Sequence, residues 1–162
     1  MLKANKLSPM LANPALKTAS SPLACLEQPL RDAPDLAFAV LVGSRADGTG
    51  REDSDWDIAV FWKAGQRVEP ANAANPAPDN ARSSLANLGR HETLRRHLAL
   101  ALNRPESAVD LIDLRNTGLT MKALVVEEGK VLLVNDELAW AQFQTRTWRE
   151  LEDYYWDRAH AH

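Results

Sequence analysis

Gly43-Ser44-Arg45-Ala46-Asp47-Gly48-Thr49-Gly50-Arg51-Glu52-Asp53-Ser54-Asp55-Trp56-Asp57 lies between two apolar runs, Leu36–Val42 and Ile58–Trp62. The first run is too short for an independent helix and predicts a strand buried on both faces. The second alternates: Asp55, Asp57, Ala59 and Phe61 share one face, and Trp56, Ile58, Val60 and Trp62 share the other. A buried strand therefore delivers a small Gly-Ser turn, a loop follows, and a second strand opens with two acids. At ~3.3 Å per residue those carboxylates stand about 7 Å apart on one face. Two like charges there are unfavourable without a compensating cation, and magnesium, which prefers carboxylate and phosphate oxygens, is the natural one. Gly43 lets a backbone approach a phosphate closely. The amides after it, if they open a helix, add donors and a favourable dipole, and the Ser44 hydroxyl adds one donor more.

The chain around this stretch predicts one domain. Its 162 residues suffice for a single core, and 45% hydrophobic with 25% charged residues is an ordinary globular composition. A net charge of -3 and the lack of a basic stripe argue against stable, direct nucleic-acid binding. The one cysteine, Cys25, allows no internal disulfide and reads as a small core residue in a reducing, cytoplasmic setting. No apolar run approaches the ~20 residues that span a bilayer, and Ser8, Pro9, Asn13 and Pro14 interrupt any leader-like segment.

In order, residues 1–20 predict a loosely ordered lead-in and 21–162 the domain. Ser21-Pro22 predicts a helix start, with Leu23, Leu26 and Leu30 inward and Pro29 ending or kinking it. Residues 64–82 predict a surface loop bordering the site, followed by a helix capped by Ser83 or Ser84 with Leu94, Leu98, Ala101 and Leu102 on one side. Arg95 and Arg96 fall elsewhere on that helix, as solvated charges. A third strand covers 108–114, a short helix about 117–128 is stopped by Gly129, and Lys130–Val134 forms a further strand. Asn135 or Asp136 caps an aromatic C-terminal helix that places Trp140, Phe143, Leu151, Tyr154 and Tyr155 on one side. Trp156 falls off that face, which marks a candidate exposed apolar surface for an interface.

A third acid for the pair must come from the third strand, which offers Asp110 and Asp113. Their odd spacing puts them on opposite faces, and parity alone leaves the choice open.

Gly-Ser, ten residues, then Asp-x-Asp resembles the signature of the polymerase beta-like nucleotidyltransferase superfamily. The strings Gly43–Gly48, Ser54–Val60 and Val109–Leu114 are similar to the minimal nucleotidyltransferase (MNT) family, in particular the MntA-type antitoxins encoded beside HEPN ribonuclease toxins. The resemblance covers roughly residues 36–158, with tight matches only at 43–60 and 108–114. It implies an α+β fold, a small mixed sheet with helices packed on it. It implies that Gly43, Ser44 and Arg45 hold nucleotide phosphates and that Asp55, Asp57 and Asp110 are the catalytic, metal-binding triad, leaving Asp113 a supporting residue. Asp47 departs from the family, whose members often carry a basic residue there.

The activity so implied is transfer of AMP from ATP, with two magnesium ions, to a tyrosine of a cognate HEPN toxin, which silences it within a hetero-oligomeric complex. Asp110 is placed to accept the hydroxyl proton. Two alternatives stand beside it: an antitoxin that blocks its partner by complex formation alone, and a nucleotidyltransferase with a small-molecule acceptor. The lack of a second domain counts against the latter.

Overall fold

The computed structural model describes residues 21–63 and 79–160, with side chains in the second segment from 88 onward. The expected lead-in, 1–20, and positions 64–78 of the expected loop lie outside the described residues.

Four strands, β1 (Leu36–Val42), β2 (Trp56–Trp62), β3 (Val109–Asp113) and β4 (Lys130–Val134), form a mixed sheet in the order β3-β2-β1-β4. β1 runs antiparallel to both β2 and β4, whereas β2 and β3 are parallel. The helices α1 (Pro22–Arg31), α2 (Asp79–Leu102), α3 (Leu119–Glu127) and α4 (Glu137–His160) pack on it, giving an α+β fold. Every residue of β1 is buried, as its unbroken apolar run requires. The outward alternation of β2 sorts its residues between two cores. Trp56, Ile58, Val60 and Trp62 join Leu26 and Leu30 of α1 and Leu94 and Leu98 of α2. Ala59, with Phe61 against it, joins Phe38, Val40, Val125 of α3 and Phe143 of α4. The second core is aromatic: Phe38 stacks on Phe61 at 4.9 Å and meets Trp140 and Phe143 at 4.9 and 5.3 Å.

Several local expectations change. Pro29 does not end α1, which continues to Arg31; the proline stands near the C-terminus, where the missing N–H costs one bond and Asp32 N–H closes the end on the Gln28 and Leu30 carbonyls. α2 begins at Asp79, ahead of the expected Ser83 or Ser84 cap. Gly129 does follow α3, but its backbone is not left-handed. Its need is steric: a Cβ would collide with the Val125 carbonyl and the Val40 side chain. Asp136, not Asn135, caps α4, accepting the Ala139 N–H at 2.9 Å, while the Asn135 amide donates to the Leu36 carbonyl. The inward face of α4 ends at Leu151, after Phe143 and Thr147; Tyr154, Tyr155 and Trp156 are exposed, the first two against expectation. Among the described residues no helix is long and apolar enough to cross a membrane.

Candidate nucleotidyl-transfer site

β1 and β2 are antiparallel neighbours, so the end of one and the start of the other meet at one edge of the sheet, where Val42 pairs with Asp57. Gly43 follows at φ +71, in the left-handed region that side chains disfavour. A Cβ on it would stand 2.7 Å from Asp57 Oδ2. Glycine is therefore required twice here, for the turn and for the room the Asp57 carboxylate occupies.

The loop between the strands folds on itself. Gly43–Arg45 make a single 3-10 turn rather than the start of an α-helix, and the Ala46 and Asp47 amides both donate to the Gly43 carbonyl. A full helix dipole is thus not on offer, and the local amides and the Ser44 hydroxyl remain; none of the hydrogen bonds that fold the loop uses that hydroxyl. Arg45 braces the loop. Its Nε and one terminal nitrogen donate to the Ser54 carbonyl at 2.9 and 2.6 Å, the terminal nitrogen also reaches the Glu52 carbonyl at 2.9 Å, and the guanidinium lies 4.3 Å over the Trp56 ring. Arg104, after α2, donates to the same Glu52 carbonyl. Asp47, the family departure, accepts the Thr49 N–H and hydroxyl at 2.8 and 2.6 Å, and these bonds hold its carboxyl below the ordinary value. Its acid is used to close a turn.

The strand register settles the parity question. β3 lies parallel to β2 with Asp110 opposite Asp57 and Asp113 opposite Val60. Residues paired this way share a face, so Asp110 stands beside Asp57 and Asp113 falls on the other side of the sheet. There Asp113 accepts the Arg115 N–H and the Asn116 side-chain amide and comes within 3.9 Å of His91 on α2. His91 in turn accepts the Trp62 indole N–H at 2.8 Å, and burial lowers its pKa, so it is a neutral structural acceptor. Asp55 precedes β2 and is exposed, as is Asp110; Asp57 is half-buried.

The Asp57 carboxyl is pushed above the ordinary aspartate value, first by burial, then by the charges of Asp110 and Asp55. Three carboxylates thus act on one point. Among the described residues no three acidic, histidine or cysteine side chains close into a ready metal cage. The donor set of Asp55, Asp57 and Asp110 is all oxygen, the kind magnesium prefers, and magnesium is commonly held by one or two carboxylates with water and substrate phosphates completing the shell.

Sequence reasoning missed Arg104 and the Trp56 ring as supports of the loop. Arg104 stands 52 positions from the carbonyl it holds, and no short-range pattern encodes that bond.

The model of the polymerase beta nucleotidyltransferase family matches residues 25–138. No curated protein matches the chain at a significant level. Solved structures do. One is a toxin–antitoxin with AMP-PNP, 28% identical over 85% of this chain and 92% of that one, with a TM-score of 0.55. Another is the tri-AMPylated HEPN toxin of Shewanella oneidensis in complex with MNT antitoxin, matched at 25% identity over 85% and 90% of the two chains, with a TM-score of 0.50. A third is an MntA toxin–antitoxin mutant in which two aspartates spaced by two positions are glutamates, matched at 27% identity over 82% and 88%, with a TM-score of 0.52.

Proposed function

The chain belongs to the polymerase beta nucleotidyltransferase family, and from that premise we propose that it is a cytoplasmic antitoxin that transfers AMP from ATP to a tyrosine of a cognate HEPN ribonuclease toxin. The observation that carries the reading is the pairing of Asp110 with Asp57 beside Asp55, at the strand edge where Gly43-Ser44 turns. The similarity to the MNT antitoxin bound to a tri-AMPylated HEPN toxin supports the acceptor class.

In the proposed reaction the acceptor oxygen bonds to the α-phosphorus of ATP, the bond to the β-phosphate oxygen breaks, and pyrophosphate leaves. Gly43 and Ser44 bind the phosphates through backbone amides and the hydroxyl. Asp110, the exposed member of the pair, accepts the proton of the acceptor hydroxyl. Arg45 and Arg104 act at one remove, holding the loop that carries Ser44. Magnesium on Asp55, Asp57 and Asp110, two ions in this reading, would polarise the phosphates and lower the acceptor's pKa.

The test is intact-mass spectrometry of the neighbouring HEPN protein after incubation with this protein, ATP and magnesium. AMP-sized additions are expected, and they must vanish with Asp55→Asn, Asp57→Asn. No addition with the wild type would end the catalytic reading. The exposed Tyr154, Tyr155 and Trp156 favour a second reading, neutralisation by occlusion. It predicts that the double Asn variant still protects cells from the toxin.

A further inference from the structure

At the opposite end of β2 from Asp57 lies a cavity of about 660 Å3, bounded by Phe61 on the sheet and by Phe143 and Thr147 of α4. At about 3.3 Å per residue, Phe61 stands about 13 Å from Asp57, so this cavity is separate from the carboxylate site. Its charge is the reverse of that site's. Lys63, Arg115, Lys122 and Arg146 bring four cations to it, against the single carboxylate of Asp136. That carboxylate is already committed as the cap of α4.

The cations come from separate parts of the chain, and two of them, Arg115 and Lys122, are held by contacts within the fold. Arg115 donates through Nε and one terminal nitrogen to the Trp62 carbonyl, at 3.0 and 2.6 Å, and its guanidinium lies 4.9 Å from the Phe61 ring. Neither contact neutralises its charge. Lys122 shares Glu150 at 3.3 Å across a partly solvated surface. Lys63 and Arg146 have no carboxylate partner among the described residues. The chain as a whole carries -3, so this concentration of positive charge is local. The first turns of α4, whose amides lie at the positive end of a 24-residue helix, form part of the same wall.

We propose that this cavity is a second binding site, for a compact phosphate-bearing polyanion of the pyrophosphate or tripolyphosphate type. Guanidinium and ammonium groups match phosphate oxygens, and four cations in a site of this volume suit a short phosphate chain better than one monoanion. Because the protein supplies the positive charge, binding requires no metal. That separates this site from the carboxylate edge, where like charge repels a bare phosphate.

The test is calorimetric titration of the full chain with inorganic tripolyphosphate in EDTA. The wild type is expected to bind, with affinity falling as salt rises. Lys63→Glu with Arg146→Glu should weaken binding at least ten-fold, and the milder Lys63→Gln with Arg146→Gln should weaken it in the same direction. Both side chains are exposed, and circular dichroism melts confirm that each variant is folded. Asp55→Asn with Asp57→Asn should bind as the wild type does. Displacement by metal-free ATP would assign the site to nucleotide tails, and lack of displacement to free polyphosphate. The proposal is overturned if the wild type does not bind, if the folded charge-reversed variant binds equally, or if the Asn pair alone changes affinity.

Discussion

Gly43 and Asp57 define the site between them at the scale of single residues. Gly43→Ala places a methyl 2.7 Å from the Asp57 carboxylate on a left-handed backbone. A cost of about 1–2 kcal/mol follows, a fall in Tm of about 2–8 °C. Transfer activity should drop by more than the small stability loss explains, because the displaced group is Asp57 itself. Asp57 also has a pH signature. Its folded pKa is raised, so the native state holds that proton more tightly than the unfolded chain does. The corresponding stability is fully present below the unfolded value and is lost as pH rises through the folded one. In EDTA, Asp57→Asn should therefore melt above the wild type at about pH 7, with the gain closing near pH 3. Magnesium should raise the Tm of the wild type and leave the variant unmoved. Scanning calorimetry checks all three. Of the Asp-x-Asp pair expected to open the second strand on one face, only Asp57 lies within β2; Asp55 stands one residue before it and acts on Asp57 through its charge. Asp110 over Asp113 was not legible from parity, since either could have faced the pair until the β2–β3 register was known.

The elements were easier to read where the apolar pattern is unbroken. β1 and β4 stand where their hydrophobic runs lie; β1 is buried throughout, whereas β4, at the sheet edge, leaves Lys130 and Val131 exposed. Readings that depended on long-range packing fared worse. The inward face of α4 was drawn through Tyr154 and Tyr155 by helical spacing, yet the sheet it covers ends at Leu151 and the helix continues into solvent. Gly129 looked like a helix-ending glycine and is instead a close-packing one. Gly129→Ala should destabilise by about 1–3 kcal/mol, the usual cost of forcing a group into a filled core. Phe143→Ala, which removes the ring between Phe38, Phe61 and Trp140, should cost about 3–5 kcal/mol. Urea melts measure both. A loss below about 1 kcal/mol at Phe143 would contradict the aromatic core between the sheet and α4.

Across the molecule, the sheet joins two positions in the chain that the sequence keeps far apart. Asp57 and Asp110 become neighbours because β3 adds parallel to β2, with α2 in the connection between them. At the far end of the same strand the charge reverses, in the cavity of Lys63, Arg115, Lys122 and Arg146. A pattern search could not find that cluster, since its members share no short-range spacing. The exposed aromatic end of α4 adds a third region. Tyr155→Ala with Trp156→Ala, two side chains outside the core, should leave Tm within about 2 °C of the wild type, while weakening the complex with the HEPN protein at least ten-fold. Analytical ultracentrifugation of the mixed proteins reads that loss.

In the proposed reaction Asp55, Asp57 and Asp110 form one transfer site, and Asp113 stands outside it. The most direct measurement compares single-turnover AMP transfer to the HEPN protein by Asp110→Asn and Asp113→Asn. Asp110→Asn should lose at least about 100-fold in rate, as expected for a group that moves a proton and holds metal. Asp113→Asn should stay within about ten-fold of the wild type once its Tm has been matched by temperature. A wild-type rate from Asp110→Asn, with the large loss falling on Asp113→Asn, would instead place the third carboxylate of the site at Asp113.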